Sequence, residues 1–132
     1  MIVLDASVLA NAVGDDGSDG ADGRRELRLA GDAAIPELAY VEVVSVLRKR
    51  WLAGDLTLER FADAVEALAD LPLARYSTVS LLPRIFELRA NVTPYDAVYV
   101  ALAESLECPL LTNDRALADA PGPQCEIHVV TK

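Results

Sequence analysis

Hydrophobic residues along this chain follow two rhythms. Short apolar runs at residues 2–4, 33–35, 73–76, 109–111 and 127–130 read as strands, and the longer segments between them place apolar side chains at helical spacing. The helices predicted in this way cover residues 7–13, 24–29, 36 to about 51, 58–71, 82–90 and 93 to about 106, with a short one opening at Asp114. Pro36 reads as a first-turn residue, Gly54 as a stop, and Pro72 as the limit of the preceding helix. Thr93-Pro94-Tyr95-Asp96 has the spacing of a capping box with Asp in place of Glu. Between residues 14 and 23 the rhythm lapses, because GDDGSDGADG sets four aspartates among glycines and small residues and reads as a flexible loop. Strands alternating with helices predict an α/β fold with a mostly parallel sheet.

The stretch LAYVEVVSVL, residues 38–47, breaks the pattern in an informative way. It is apolar almost all round, which predicts a buried helix, yet it carries the carboxylate Glu42. An ionised carboxylate in such a setting is costly unless paired, hydrogen-bonded or bound to a metal. Glu42 is expected to lie too far into its helix to cap it. Ser45, three residues on, shares its face and completes a polar stripe that reads as a site lining.

Three further acids are placed by the same element map. Asp5 immediately follows the first strand, Asp114 follows the 109–111 strand, and Asp96 lies in the first turn of a helix. In open parallel sheets, ligands bind beyond the carboxyl ends of the strands where the strand order reverses, so all four acids can reach one edge of one sheet. Asp5, Asp96 and Asp114 each also have a plain role as helix caps. Glu42 has none, its other readings being a buried ion pair or a more exposed helix face. Several carboxylates at close range raise one another's pKa unless a cation sits among them. An oxygen-only donor set favours Mg²⁺ or Mn²⁺ over zinc, and such an ion can activate water against a phosphodiester without histidine.

Composition narrows the picture further. At 132 residues and 52% hydrophobic, the chain is expected to be one globular domain spanning residues 1–132. No apolar run has the roughly 18 residues of a membrane span. The N-terminus has no basic region, and Asp5 interrupts its apolar stretch, so no signal peptide is expected. Cys108 and Cys125 form no CxxC pair, and a reducing cytoplasm is the expected compartment. The sole histidine, His128, alternates with Ile127 and Val129 as an edge-strand residue would. A net charge of −9 opposes non-specific affinity for nucleic acid. The basic clusters Arg24, Arg25, Arg28 and Arg48, Lys49, Arg50 read as solvated helix faces unless an acidic metal site lies between them.

At this point the residues resemble a known family. IVLDASVLA, IPELAYVEVVSVLRK, TPYDAVYVALAE and LLTNDRAL, in this order from Ile2 to Leu117, are similar to the PIN-domain ribonucleases, most of all to the VapC toxins of type II toxin–antitoxin pairs. The resemblance implies a PIN-like three-layer α/β/α domain and an acidic quartet of Asp5, Glu42, Asp96 and Asp114, supported by Ser7 and Thr112. It also implies a homodimer, a cognate antitoxin that blocks the site, and an RNA substrate cut with Mg²⁺ or Mn²⁺. The expected mechanism is phosphodiester hydrolysis, with Asp5, Asp96 and Asp114 holding the metal directly or through water and Glu42 orienting a metal-bound water or binding a second ion. The segment 14–23 belongs to none of these motifs.

Other readings use other residues. From Asp15 the chain reads D-x-G-x-D-G-x5-E, with Asp19, Gly20 and Glu26 at positions of an EF-hand loop, which would make a non-catalytic Ca²⁺-binding module. Gly17 stands where that loop has a ligand, and Asp22 where it has an apolar residue. A phosphotransfer domain would need a lysine near a strand end, and neither Lys49 nor Lys132 is one. A non-catalytic PIN-fold module is the remaining alternative. The exposed apolar surface that helices 38–47 and 95–103 are expected to leave would suit a dimer or an antitoxin helix.

Overall fold

The structure, a computed structural model, describes residues 1–130. Five short strands, β1 (Ile2–Leu4), β2 (Ala33–Pro36), β3 (Ala74–Tyr76), β4 (Leu110–Thr112) and β5 (Ile127–Val129), form one sheet in the order β3-β2-β1-β4-β5. Every pairing is parallel. β1 is central and fully buried, as its unbroken apolar sequence requires for a strand covered on both faces. The chain winds outward from β1 to β3, then returns to the far side of β1 as β4, so the order reverses between β1 and β4.

Helices α1 (Ala6–Gly14), α2 (Ser18–Ala30), α3 (Ala39–Leu52) and α4 (Leu58–Asp70) pack on one another. The short α5 (Leu82–Glu87), entered through a 3₁₀ turn at Val79–Leu81, packs on α6 (Pro94–Leu106), and α6 lies against β1, β2 and β4. Right-handed crossovers put α1–α4 on one face and α5–α6 on the other, giving three layers. A short α7 (Arg115–Asp119) links β4 to β5. Among the described residues, no helix is long and apolar enough to cross a membrane. His128 lies on edge strand β5, exposed and 3.1 Å from Glu126, and both cysteines are free thiols.

Three sequence expectations need correction. Residues 18–23 are the start of α2 and not part of a loop. Gly20 and Gly23 are buried there because α2 presses against α1: a Cβ on Gly20 would lie 1.8 Å from the Asp15 carbonyl oxygen. The helix also dismantles the EF-hand reading, since Asp19, Gly20 and Glu26 sit on helical backbone and not on a ligating loop. Pro36 ends β2 instead of opening a helix, because the chain stays paired one residue longer, with Glu37 N–H donating to the Tyr76 carbonyl at 2.9 Å.

The third correction concerns α3. Its apolar sequence does not make it buried all round: only Ala39, Val43 and Leu47 are buried, a single i, i+4, i+8 stripe. Val41 is 74% exposed, Leu52 is exposed, and Ser45 is exposed. α3 begins only at Ala39, so Glu42 belongs to its first turn, although it makes no capping bond.

Candidate functional site

Asp5 follows β1 directly, and β1 delivers it to the point where the strand order reverses. Its carboxylate is among the few buried polar groups. Asp5 is the N-cap of α1, with Oδ1 accepting from Val8 N–H at 3.1 Å and from Ser7 Oγ at 2.6 Å. Thr112 ends the neighbouring strand β4, is wholly buried, and donates its hydroxyl to Asp5 Oδ2. The same hydroxyl oxygen accepts from Asp114 N–H at 3.0 Å, while Ser7 Oγ accepts from Asn113 N–H at 3.3 Å. Ser7 and Thr112 thus tie the loop after β4 to Asp5.

Asp114 caps α7, its Oδ1 accepting from the N–H groups of Ala116 and Leu117 at 2.9 and 3.4 Å. Asp96 sits in the first turn of α6, capped by Thr93, whose hydroxyl oxygen accepts from Asp96 N–H at 3.4 Å. Capping and convergence therefore coexist: each cap anchors its acid to a helix N-terminus at the carboxyl edge of the sheet. Glu42 comes from α3 and accepts a 2.7 Å hydrogen bond from the hydroxyl of Tyr99, one turn beyond Asp96 on α6. Tyr99 is 2% exposed. Nothing in the sequence marked it out, because it lies inside an apolar helix and its partner is 57 residues away.

The four acids form one electrostatic unit. Burial pushes the Asp5 carboxyl above its ordinary value, and the hydrogen bonds from Ser7, Thr112 and Val8 offset this only in part. Asp96 is raised by burial and by the charges of Asp114 and Asp5. Glu42 is raised by burial and by the charges of Asp96 and Asp5, against the lowering effect of the Tyr99 hydroxyl. Burial and the Glu42 carboxylate in turn push the Tyr99 phenol far up, so it remains a donor. Among the described residues no Lys, Arg or His pairs with any of the four acids.

Such a cluster lacks a positive charge, and its donors are all hard oxygens. Among the described residues no three Asp, Glu, His or Cys side chains are grouped so that they could hold a metal ion by themselves. The hard-oxygen chemistry of the donors is the feature that matches Mg²⁺ or Mn²⁺.

One arginine of each basic cluster, Arg24 and Arg50, is engaged elsewhere, as is Arg60. Arg24 donates to the carbonyls of Ala12 and Asp15 at 3.0 and 2.9 Å, Arg60 to that of Val13 at 2.9 Å, and Arg50 to Asn11 Oδ1 at 2.6 Å. All four contacts close the C-terminal end of α1, opposite Asp5. Two cavities of about 520 and 790 Å³ are lined by none of the four acids.

The sheet order and the acids at its carboxyl edge define a class, and sequence comparison agrees: the chain matches the PIN domain family over residues 2–123. Ribonuclease VapC9 of Mycobacterium tuberculosis is 39% identical over 132 residues, covering all of both chains. Ribonuclease VapC1 of the same organism is 40% identical over 129 residues, 97% of this chain and 96% of that one. Among solved structures, a chain of VapBC2 from Rickettsia felis, crystallised with a DNA fragment from its promoter, superposes with a TM-score of 0.73 at 15% identity, covering 99% of this chain and 100% of that one. PAE2754 from Pyrobaculum aerophilum gives 0.69 at 22% identity, covering 96% and 81%. These two establish the fold alone. The chain belongs to the PIN-domain family, within its VapC ribonuclease branch.

Proposed function

We propose that this protein is a Mg²⁺- or Mn²⁺-dependent endoribonuclease, the toxin of a toxin–antitoxin pair, that hydrolyses RNA phosphodiesters at the Asp5, Glu42, Asp96 and Asp114 cluster. The observation that carries the reading is that these acids come together from four separate elements, the charges of Asp114 and Asp5 raising Asp96 and those of Asp96 and Asp5 raising Glu42, with no cation paired to any of them among the described residues. Full-length relatives named as ribonucleases support the reaction class. Asp5, Asp96 and Asp114 would hold the ion, which when bound supplies charge neutralisation at the scissile phosphate and a lowered pKa for attacking water. Ser7 and Thr112 hold the Asp5 carboxylate in one rotamer. Glu42 orients the attacking water from the α3 side and receives its proton.

An antitoxin partner is supported by relatives of the same fold solved as toxin–antitoxin assemblies, including a complex from Klebsiella pneumoniae. An acidic site on a chain of net charge −9 suits an inhibitor segment that inserts Arg or Lys. Val41, Trp51, Leu52 and Leu58, all exposed, give α3 and α4 an apolar surface of the kind a homodimer covers.

Cleavage of total RNA with and without Mg²⁺ or Mn²⁺ tests the central reading. Asp96→Asn should abolish metal-dependent cleavage while leaving a cooperative thermal melt. Wild-type cleavage by that variant, or equal cleavage in chelator, would refute it.

A further inference from the structure

The Tyr99–Glu42 contact joins helices from the two layers, α6 and α3, at the carboxyl edge of the sheet. It is the only hydrogen bond to the Glu42 side chain among the described residues, so Oε1 is occupied and Oε2 has no protein partner. Glu42 otherwise lacks a restraint: it caps nothing, pairs with no cation among the described residues, and is only half-buried. Tyr99 supplies what is missing. Its ring is wholly packed in the core, which fixes the position of the hydroxyl, and α6 sets that hydroxyl one turn from Asp96.

We propose that Tyr99 is a positioning residue, its hydroxyl holding Glu42 by one oxygen so that the other faces the attacking water, and locking the α3 acid to the α6 acid Asp96. The proposal rests on the functional reading above and deepens it. The phenol oxygen touches no reacting atom, so its effect is exerted through Glu42. Supporting groups that orient functional side chains are typically worth about 10- to 100-fold in activity.

Tyr99→Phe removes one buried oxygen and keeps the ring. With purified full-length protein and a cleavable RNA, kcat is expected to fall about tenfold or more with KM within about twofold. Mn²⁺ affinity, titrated calorimetrically without RNA, should stay within about threefold, because the ion is held by the three aspartates. A purely structural role would instead weaken Mn²⁺ binding and lower the melting temperature together. In a Glu42→Gln background, Tyr99→Phe should cost almost nothing further. Wild-type kcat in Tyr99→Phe, additive losses in the double variant, or a Tyr99→Phe protein that no longer folds would each overturn the proposal. If wild-type protein cleaves and Asp96→Asn does not, such a result refutes only the role of Tyr99. If wild-type protein does not cleave at all, the functional reading falls and this proposal with it.

Discussion

Thr112 shows how little freedom a single residue has at this site. It has no solvent exposure, donates to Asp5 and accepts from Asp114 N–H. Thr112→Val keeps the shape but leaves both partners short of a hydrogen bond, and a buried unsatisfied group costs about 1–3 kcal/mol. Urea unfolding should register a loss of that size, and cleavage should fall with it as Asp5 loses a restraint. Asp5, Asp96 and Asp114 were readable in the sequence because strand ends and cap positions are local signals. Glu42 was singled out as well, but for a reason the structure revises: it is in the first turn of α3, and it is the hydroxyl of Tyr99, not distance from the helix end, that explains it. Tyr99 was unreadable because a hydrogen bond across 57 residues leaves no periodic trace.

The same residues set a pH dependence. Burial raises the folded-state pKa of Asp5 above 3.8, and burial together with the charges of neighbouring acids raises that of Asp96 above 3.8 and that of Glu42 above 4.5. The folded state therefore binds more protons than the unfolded state in the window from these values up through the raised ones, and stability falls as pH rises across it. Asp16, lowered by its hydrogen bond to Arg60, has the opposite sign, but it is exposed and its window lies below 3.8. Metal-free protein in chelator should thus melt higher near pH 5 than near pH 7. A melting temperature that rises over that interval would contradict the picture of an uncompensated acidic cluster.

Among the elements, α2 is the clearest case of composition misleading. Glycine and aspartate are weak helix formers, so GDDGSDGADG read as loop. Contact with α1 outweighs that local preference: small residues let the two backbones approach, and Arg24 reaches back from α2 to the end of α1. Gly20→Ala would be neutral or favourable in an isolated helix, but here its Cβ meets backbone that cannot easily move. A destabilisation of about 1–3 kcal/mol by chemical denaturation is expected. Gly17→Ala, facing only the Asp15 carboxylate at 3.1 Å, is a milder control. α3 teaches the converse. Its apolar residues suggested full burial, yet with α1 and α4 packed on it only one stripe is buried, and periodicity alone cannot say whether the remainder faces core, partner or solvent.

Over the whole molecule, stability and ion binding are linked. An ion that binds the folded cluster and not the unfolded chain stabilises by RT ln(1 + [L]/Kd), about 2.7 kcal/mol at 100 times Kd. Adding Mn²⁺ at neutral pH should raise the melting temperature of wild-type protein and do much less for Asp96→Asn. Equal shifts in both would place the ion elsewhere.

The alternation of strand and helix, and the acids at strand ends and caps, follow from the sequence by itself, because period, capping chemistry and strand termini are encoded over a few residues. So too are the four motifs whose order marks the family. Tertiary structure alone decided that Asp5 and Asp114 cap helices while converging with the first-turn residue Asp96, that residues 18–23 wind into a helix against α1, and that a buried tyrosine holds Glu42. These depend on how close distant segments come, which is set by the packing of whole layers and not by any local pattern.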